Sequence, residues 1–125
     1  MRPIRLIVIC LIAEALLLAF ASTDQEAAQK GKAVFDRRCS GCHATDVNKE
    51  GPHLRGVYGR KAASAPGYTY SDSLKKLNLR WDDASLDQWL SDPDALARDT
   101  DMAFQLNAPD ERKAVIAYLK SLTTR

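Results

Sequence analysis

The 125-residue sequence predicts a single all-α domain in which a few helices are joined by long irregular loops. Apolar residues recur at three- and four-residue steps toward both ends of the chain, as they do on one face of a helix. No stretch alternates apolar and polar residues in the manner of a strand, and no internal repeat is present. Between the periodic segments, Asn48 to Asn78 is rich in Gly and Pro and follows neither period.

Met1–Ala21 opens with Arg2 and Arg5, continues as an apolar run from Ile4 to Phe20 and ends in the small-x-small pattern Ala19-Phe20-Ala21. This predicts a secretory signal peptide over 1–21 and a mature domain over 22–125. The alternative is an uncleaved membrane anchor. The run is short for a span, however, and an acid such as Glu14 costs about 2.5–3.5 kcal/mol at a helix centre. Cys10 follows bulky Ile9, which argues against a lipoprotein site.

In the mature chain a first helix is expected over Asp24–Arg38, with Ala27, Ala28, Gly31, Val34 and Phe35 along one face and Thr23 or Asp24 as its cap. Gly31 weakens it by about 1 kcal/mol relative to Ala, so a close contact is the expected reason for a glycine there. A short helix is expected over Ser71–Lys76. Another, over Ala84–Ser91, carries Leu86, Trp89 and Leu90 and stops at Asp92-Pro93. Asp94–Ala108 shows no period. Pro109–Leu122 is the clearest helix: Pro109 starts it, Asp110 and Glu111 occupy its first turn, and Val115, Tyr118, Leu119 and Leu122 share a face.

The loops are organised around Cys39-Ser40-Gly41-Cys42-His43, which sets two thiols and an imidazole within five residues. This is the attachment signature of c-type haem. The thiols can add to the two vinyl groups of the porphyrin, and His43 then falls beneath the iron. A thioredoxin-like dithiol would want a βαβ setting that is missing here. A structural zinc site would want four ligands, and beyond the motif only His53 is on offer. The long aperiodic stretch would otherwise count against a compact domain. A large flat apolar cofactor removes the difficulty by serving as a core on which loops pack.

Without the leader the chain has 16 basic and 15 acidic side chains, a balance that argues against nucleic acid as a partner. Their distribution is uneven: Lys30 to Arg80 holds eleven bases and four acids, Asp82 to Glu111 nine acids and one base. A dipolar molecule of this kind can orient as it meets a partner. Once Met1 is set aside, Met102 is the only methionine. It lies in an irregular segment downstream of the haem motif, where it would complete the Met/His pair that raises a haem's potential.

The runs QKGKAVFDRRCSGCHA (29–44), GPHLRGVYGRKAASAPGYTYSDSLKKL (51–77), RWDD, LSDP and DERKAVIAYLKSL (110–122) together resemble class I cytochrome c, and within it the mitochondrial-like bacterial type. The resemblance implies the fold of that family, with helices and long loops wrapped around one haem c bound covalently through Cys39 and Cys42, and His43 and Met102 as axial ligands. It implies that the Pro52 carbonyl holds the second ring nitrogen of His43, and that Arg60, Tyr70 and Trp81 receive a buried haem propionate. It also implies that Gly31 and Phe35 cross Tyr118 and Leu119 where the first and last helices pack, and that haem is attached outside the cytoplasmic membrane, in the periplasm.

Several positions depart from the family. Its Pro-Gly-Thr-Lys before the methionine is replaced by Arg98-Asp99-Thr100-Asp101, a tyrosine near the sulfur by Trp89, and an inner asparagine by Leu74. Trp donates a hydrogen bond but accepts none, and Leu does neither, so a changed network is expected near the sulfur. The family's ring of lysines is largely absent, with Asp94, Ala95, Asp101 and Arg38 at four of its positions. An alkaline exchange of methionine for lysine is therefore expected to use another ligand or to occur later.

The expected function is an exported one-electron carrier between redox enzymes and not an enzyme, because two strong protein ligands leave the iron no open position. Its partners are redox proteins of unnamed identity, and it touches a membrane only through an uncleaved leader or a membrane-bound partner. A haem enzyme or gas sensor with a weakly held Met102 is the alternative. A dedicated subunit of one oxidoreductase, docked through the acidic segment, is another.

Overall fold

Residues 22–123 are described in the computed structural model, and the leader expected over Met1–Ala21 lies outside them. The first helix, α1, covers residues 22–38. Thr23 and Asp24 stand within it and are not its cap, because the helical path already includes Ser22. The other helices among the described residues are α2 (Asp72–Lys75), α3 (Asp83–Ser91), α4 (Pro93–Leu96) and α5 (Pro109–Ser121).

Side-chain caps place the short helices. Ser71 accepts the Leu74 N–H at the start of α2. At α3 a reciprocal box forms: the Asp82 carboxylate accepts the Ser85 N–H at 2.8 Å, and the Ser85 hydroxyl accepts the Asp82 N–H at 2.9 Å. Asp92-Pro93 does end α3, but Asp92 also caps the one-turn α4, with Pro93 at its first position. Four residues are too few to show a period, which is why the segment from Asp94 reads as irregular. α5 starts at Pro109 as expected, and Leu122 is its C-cap.

α1 and α5 approach closely at Gly31, where an added Cβ would stand 1.9 Å from the Ala114 carbonyl oxygen and 2.7 Å from the Tyr118 Cβ. Only a residue without a side chain fits this crossing, and the Phe35 and Tyr118 rings meet beside it at 5.4 Å. α3 packs on α5, tied by Arg112, whose Nε donates to Asp87 at 2.7 Å. Val34, Phe35, Leu86, Leu90, Val115, Ile116 and Leu119 are buried between these helices. Each contributes roughly 1.5–3 kcal/mol by leaving water. Among the described residues the β pairing is one isolated antiparallel bridge, Lys61 with Arg80. The loops 39–71 and 97–108 close over the face that the helices leave open, and a cavity remains between them.

Candidate haem site

The cavity measures about 340 Å³, and Cys39, Cys42, His43, Pro52, Arg60, Tyr70, Trp81 and Met102 all line it. Every site residue expected from the sequence is thus brought to one place. Leu54, Val57, Leu74, Leu86, Leu90 and Leu119 supply apolar wall between them.

The attachment motif prolongs α1 as a tight turn. Cys39 N–H and Ser40 N–H both return to the Phe35 carbonyl, at 2.8 and 3.0 Å, and Cys42 N–H and His43 N–H to the Cys39 carbonyl, at 3.1 and 2.9 Å. This turn puts both sulfurs and the imidazole on the cavity wall. Lys49 folds back over it and donates to the carbonyls of Ser40 and Gly41 at 2.7 and 3.2 Å. The Cys42 thiol donates to Glu50 at 3.3 Å, and that hydrogen bond holds its pKa above the ordinary thiol value. Burial pushes the Cys39 thiol up to about 11. The two sulfurs are not joined in a disulfide.

His43 Nδ1 stands 2.8 Å from the Pro52 carbonyl oxygen. A carbonyl only accepts, so Nδ1 carries the proton and Nε2 keeps its lone pair for a metal. Burial also lowers the His43 pKa, which favours the neutral ring a metal needs. Gly51 is required beside it, because a Cβ there would sit 2.3 Å from His43 Cε1.

Across the cavity Met102 is half-buried, and its sulfur accepts the indole N–H of Trp89 at 3.2 Å. Trp89 is itself buried against Trp81, ring to ring at 5.4 Å. The loop before Met102 passes through Asp99, whose φ of +58° lies in the left-handed region where the family pattern has glycine. Aspartate tolerates this conformation better than most residues, and the Asp94 carboxylate accepts the Asp99 N–H at 2.7 Å. On the other side of the loop, Arg112 donates to the carbonyls of Leu106 and Asn107, both at 3.0 Å.

Arg60 is half-buried at the wall, and all its side-chain hydrogen bonds go to neutral acceptors. Nη2 donates to the His53 carbonyl at 3.1 Å, and Nη1 to the Arg55 carbonyl at 3.3 Å and toward His53 Nε2 at 3.5 Å. Burial works against its charge and lowers its pKa. The Tyr70 hydroxyl accepts the Ala65 N–H at 3.0 Å, which leaves its own O–H to donate. Among the described residues this half-buried cation has no carboxylate partner, and the hydroxyl beside it has a proton to give, which fits an anionic group entering the cavity. Two thiols, an imidazole nitrogen, a thioether and this cation around an apolar space match the chemistry of a haem.

Lys49, Glu50, Asn48, His53 and Arg112 also support the site, which their places in the sequence do not announce. Their bonds mostly span five to eighteen residues or link separate elements, so no local pattern marks them; only the charge and closeness of Lys49 and Glu50 to the motif offered a hint.

A family profile, cytochrome c, matches residues 28–123. Cytochrome c of Euglena viridis is 41% identical over 98 residues, which cover 76% of this chain and 96% of the relative. Cytochrome c2 iso-2 of Magnetospirillum molischianum is 44% identical over 87 residues, 67% of this chain and 90% of the relative. Among solved structures, cytochrome cH from Methylobacterium extorquens superposes with a TM-score of 0.71 at 44% identity, covering 75% of this chain and 97% of that one. The chain belongs to the class I cytochrome c family, with that family's all-α fold and with haem c, attached through the cysteine pair of its CxxCH motif, as its cofactor.

Proposed function

We propose that the protein is an exported one-electron carrier whose haem iron is held between His43 Nε2 and Met102 Sδ. When bound, the haem supplies a one-electron couple. The observation that carries this reading is the meeting of Met102, with a hydrogen bond on its sulfur, and His43, with its free Nε2, at one cavity. Cys39 and Cys42 anchor the group, and Pro52 fixes the imidazole so that little rearrangement accompanies a change of charge. Arg60, Tyr70 and Trp81 receive a propionate and offset the cost of keeping it from water. Leu74 adds apolar wall to the cavity, and Trp89 bonds the methionine sulfur. With His43 and Met102 both holding the iron, the site would carry electrons and leave no place for substrate.

Membership of the family makes redox proteins its partners. Export to the periplasm is supported by the Met1–Ala21 leader and by the covalent haem. Among the described residues no helix is long and apolar enough to cross a membrane. Carbon monoxide tests the ligation. The reduced protein should be low-spin and bind the gas poorly at neutral pH, while Met102→Ala should bind it rapidly. Rapid binding by the unaltered protein would favour an open-site haem enzyme or sensor.

A further inference from the structure

His53 is a titratable group bonded to Arg60 of the cavity wall, and electron carriage as described has no use for it; the hydrogen bonds around it fix its proton. The Pro66 carbonyl only accepts, so Asn48 turns Nδ2 toward it, at 3.0 Å, and Oδ1 toward residue 53. That oxygen accepts both the His53 backbone N–H and Nδ1, each at 2.9 Å. The neutral ring therefore carries its proton on Nδ1 and leaves a lone pair on Nε2. Nε2 faces Arg60 Nη1 at 3.5 Å, while the carbonyl of the same residue takes Nη2 at 3.1 Å. Residue 53 thus holds Arg60 with main chain and side chain together.

Adding a proton spares one contact and inverts the other. Nδ1–H still donates to Asn48, so the tie between residues 48 and 66 survives. Nε2 becomes a donor facing a donor, and two cations then stand side by side at the cavity wall. Among the described residues the other charged group that interacts with His53 is the Asp46 carboxylate. That carboxylate also holds Arg55, whose Nη2 donates to Oδ2 at 3.1 Å, so it shares its negative charge between Arg55 and the protonated ring.

We propose that His53 is a positioning residue for Arg60 and couples the carrier's reduction potential to one proton. The proposal rests on Arg60 lining the haem cavity. Positive charge added there favours the reduced state, which carries one positive charge fewer. The potential should therefore fall as pH rises and His53 gives up this proton. By linkage the reduced protein binds this proton more tightly than the oxidised one.

The test is the potential of the haem-loaded protein from pH 5 to 8, beside an NMR titration of the His53 ring in both oxidation states. The expected result is a falling potential in the unaltered protein, a level one in His53→Gln, and a His53 titration displaced to higher pH on reduction. A level potential in the unaltered protein overturns the proposal. So does a slope that His53→Gln keeps in full, or a His53 titration that is the same in both states. The NMR comparison needs no variant and decides the matter even if His53→Gln folds poorly. Optical spectra of the same samples report axial ligation separately, so a failure of the His43/Met102 reading is seen as a lost low-spin spectrum and not as a lost slope.

Discussion

The indole Nε1 of Trp89 donates to the sulfur of Met102 across 3.2 Å, from a side chain buried against Trp81. This donor cannot reverse its role, unlike a hydroxyl. With Met102 as the proposed ligand, it would draw electron density from the thioether and so disfavour the oxidised iron. Trp89→Phe keeps an aromatic ring in the pocket and removes the N–H. We expect its reduction potential to drop below that of the unaltered protein with Met102 still bound, as read by spectroelectrochemical titration; an unchanged or raised potential would show that the bond does not tune the ligand.

The Met102 loop owes its shape to a backbone hydrogen bond as well. Asp94 accepts the N–H of Asp99, which sits at φ +58°. Asp94→Ala should loosen the loop by about 1 kcal/mol. Added imidazole should then displace Met102 at several-fold lower concentration. Asp94→Asn retains an acceptor and should recover most of the difference.

Two glycines with opposite surroundings make a paired test of packing. A methyl at Gly31 would overlap the Ala114 carbonyl of the facing helix, whereas a methyl at Gly41 meets nothing within 4 Å. Gly31→Ala should cost about 1–3 kcal/mol in denaturant unfolding, and Gly41→Ala should lie close to neutral. Equal effects would mean that the α1–α5 crossing is not the tight contact described.

Acid sensitivity follows from Asp46, whose pKa hydrogen bonds from Arg55 and Thr45 hold down to about 2. A carboxyl with a depressed folded pKa stabilises above its unfolded value, here 3.8, and loses that contribution as pH falls toward about 2. Acid unfolding followed between pH 4 and 2 should therefore show a shallower loss of stability in Asp46→Asn than in the unaltered protein. The site is exposed, so the difference is expected to be small and to shrink with salt.

The two long helices, the Ser71–Lys76 turn and the need for a glycine at position 31 were legible because each leaves a local mark: a period, a cap or a residue out of keeping with its helix. The haem motif was legible because its chemistry is packed into five residues. α4 was not, since one turn shows no period, and Thr23 and Asp24 look like caps to any reading that cannot see the helix begin before them. The supports of the site were hidden for a different reason. Asn48 reaches Pro66 and His53, Arg112 reaches Leu106, and Lys49 returns to the motif turn, all by bonds that exist only once the loops have closed. That Trp89 lies near the sulfur followed from family resemblance; that its N–H points at the sulfur is a matter of coordinates.

The central claim is that His43 and Met102 together ligate the haem iron. Proton NMR of the reduced, haem-loaded protein tests it most directly, because a methionine bound over a porphyrin has its methyl and methylene protons shifted far upfield by the ring current. Such a set of resonances is expected in the unaltered protein, and its loss in Met102→Ala. An unaltered protein without upfield methionine resonances, or a Met102→Ala protein that keeps them, would contradict it.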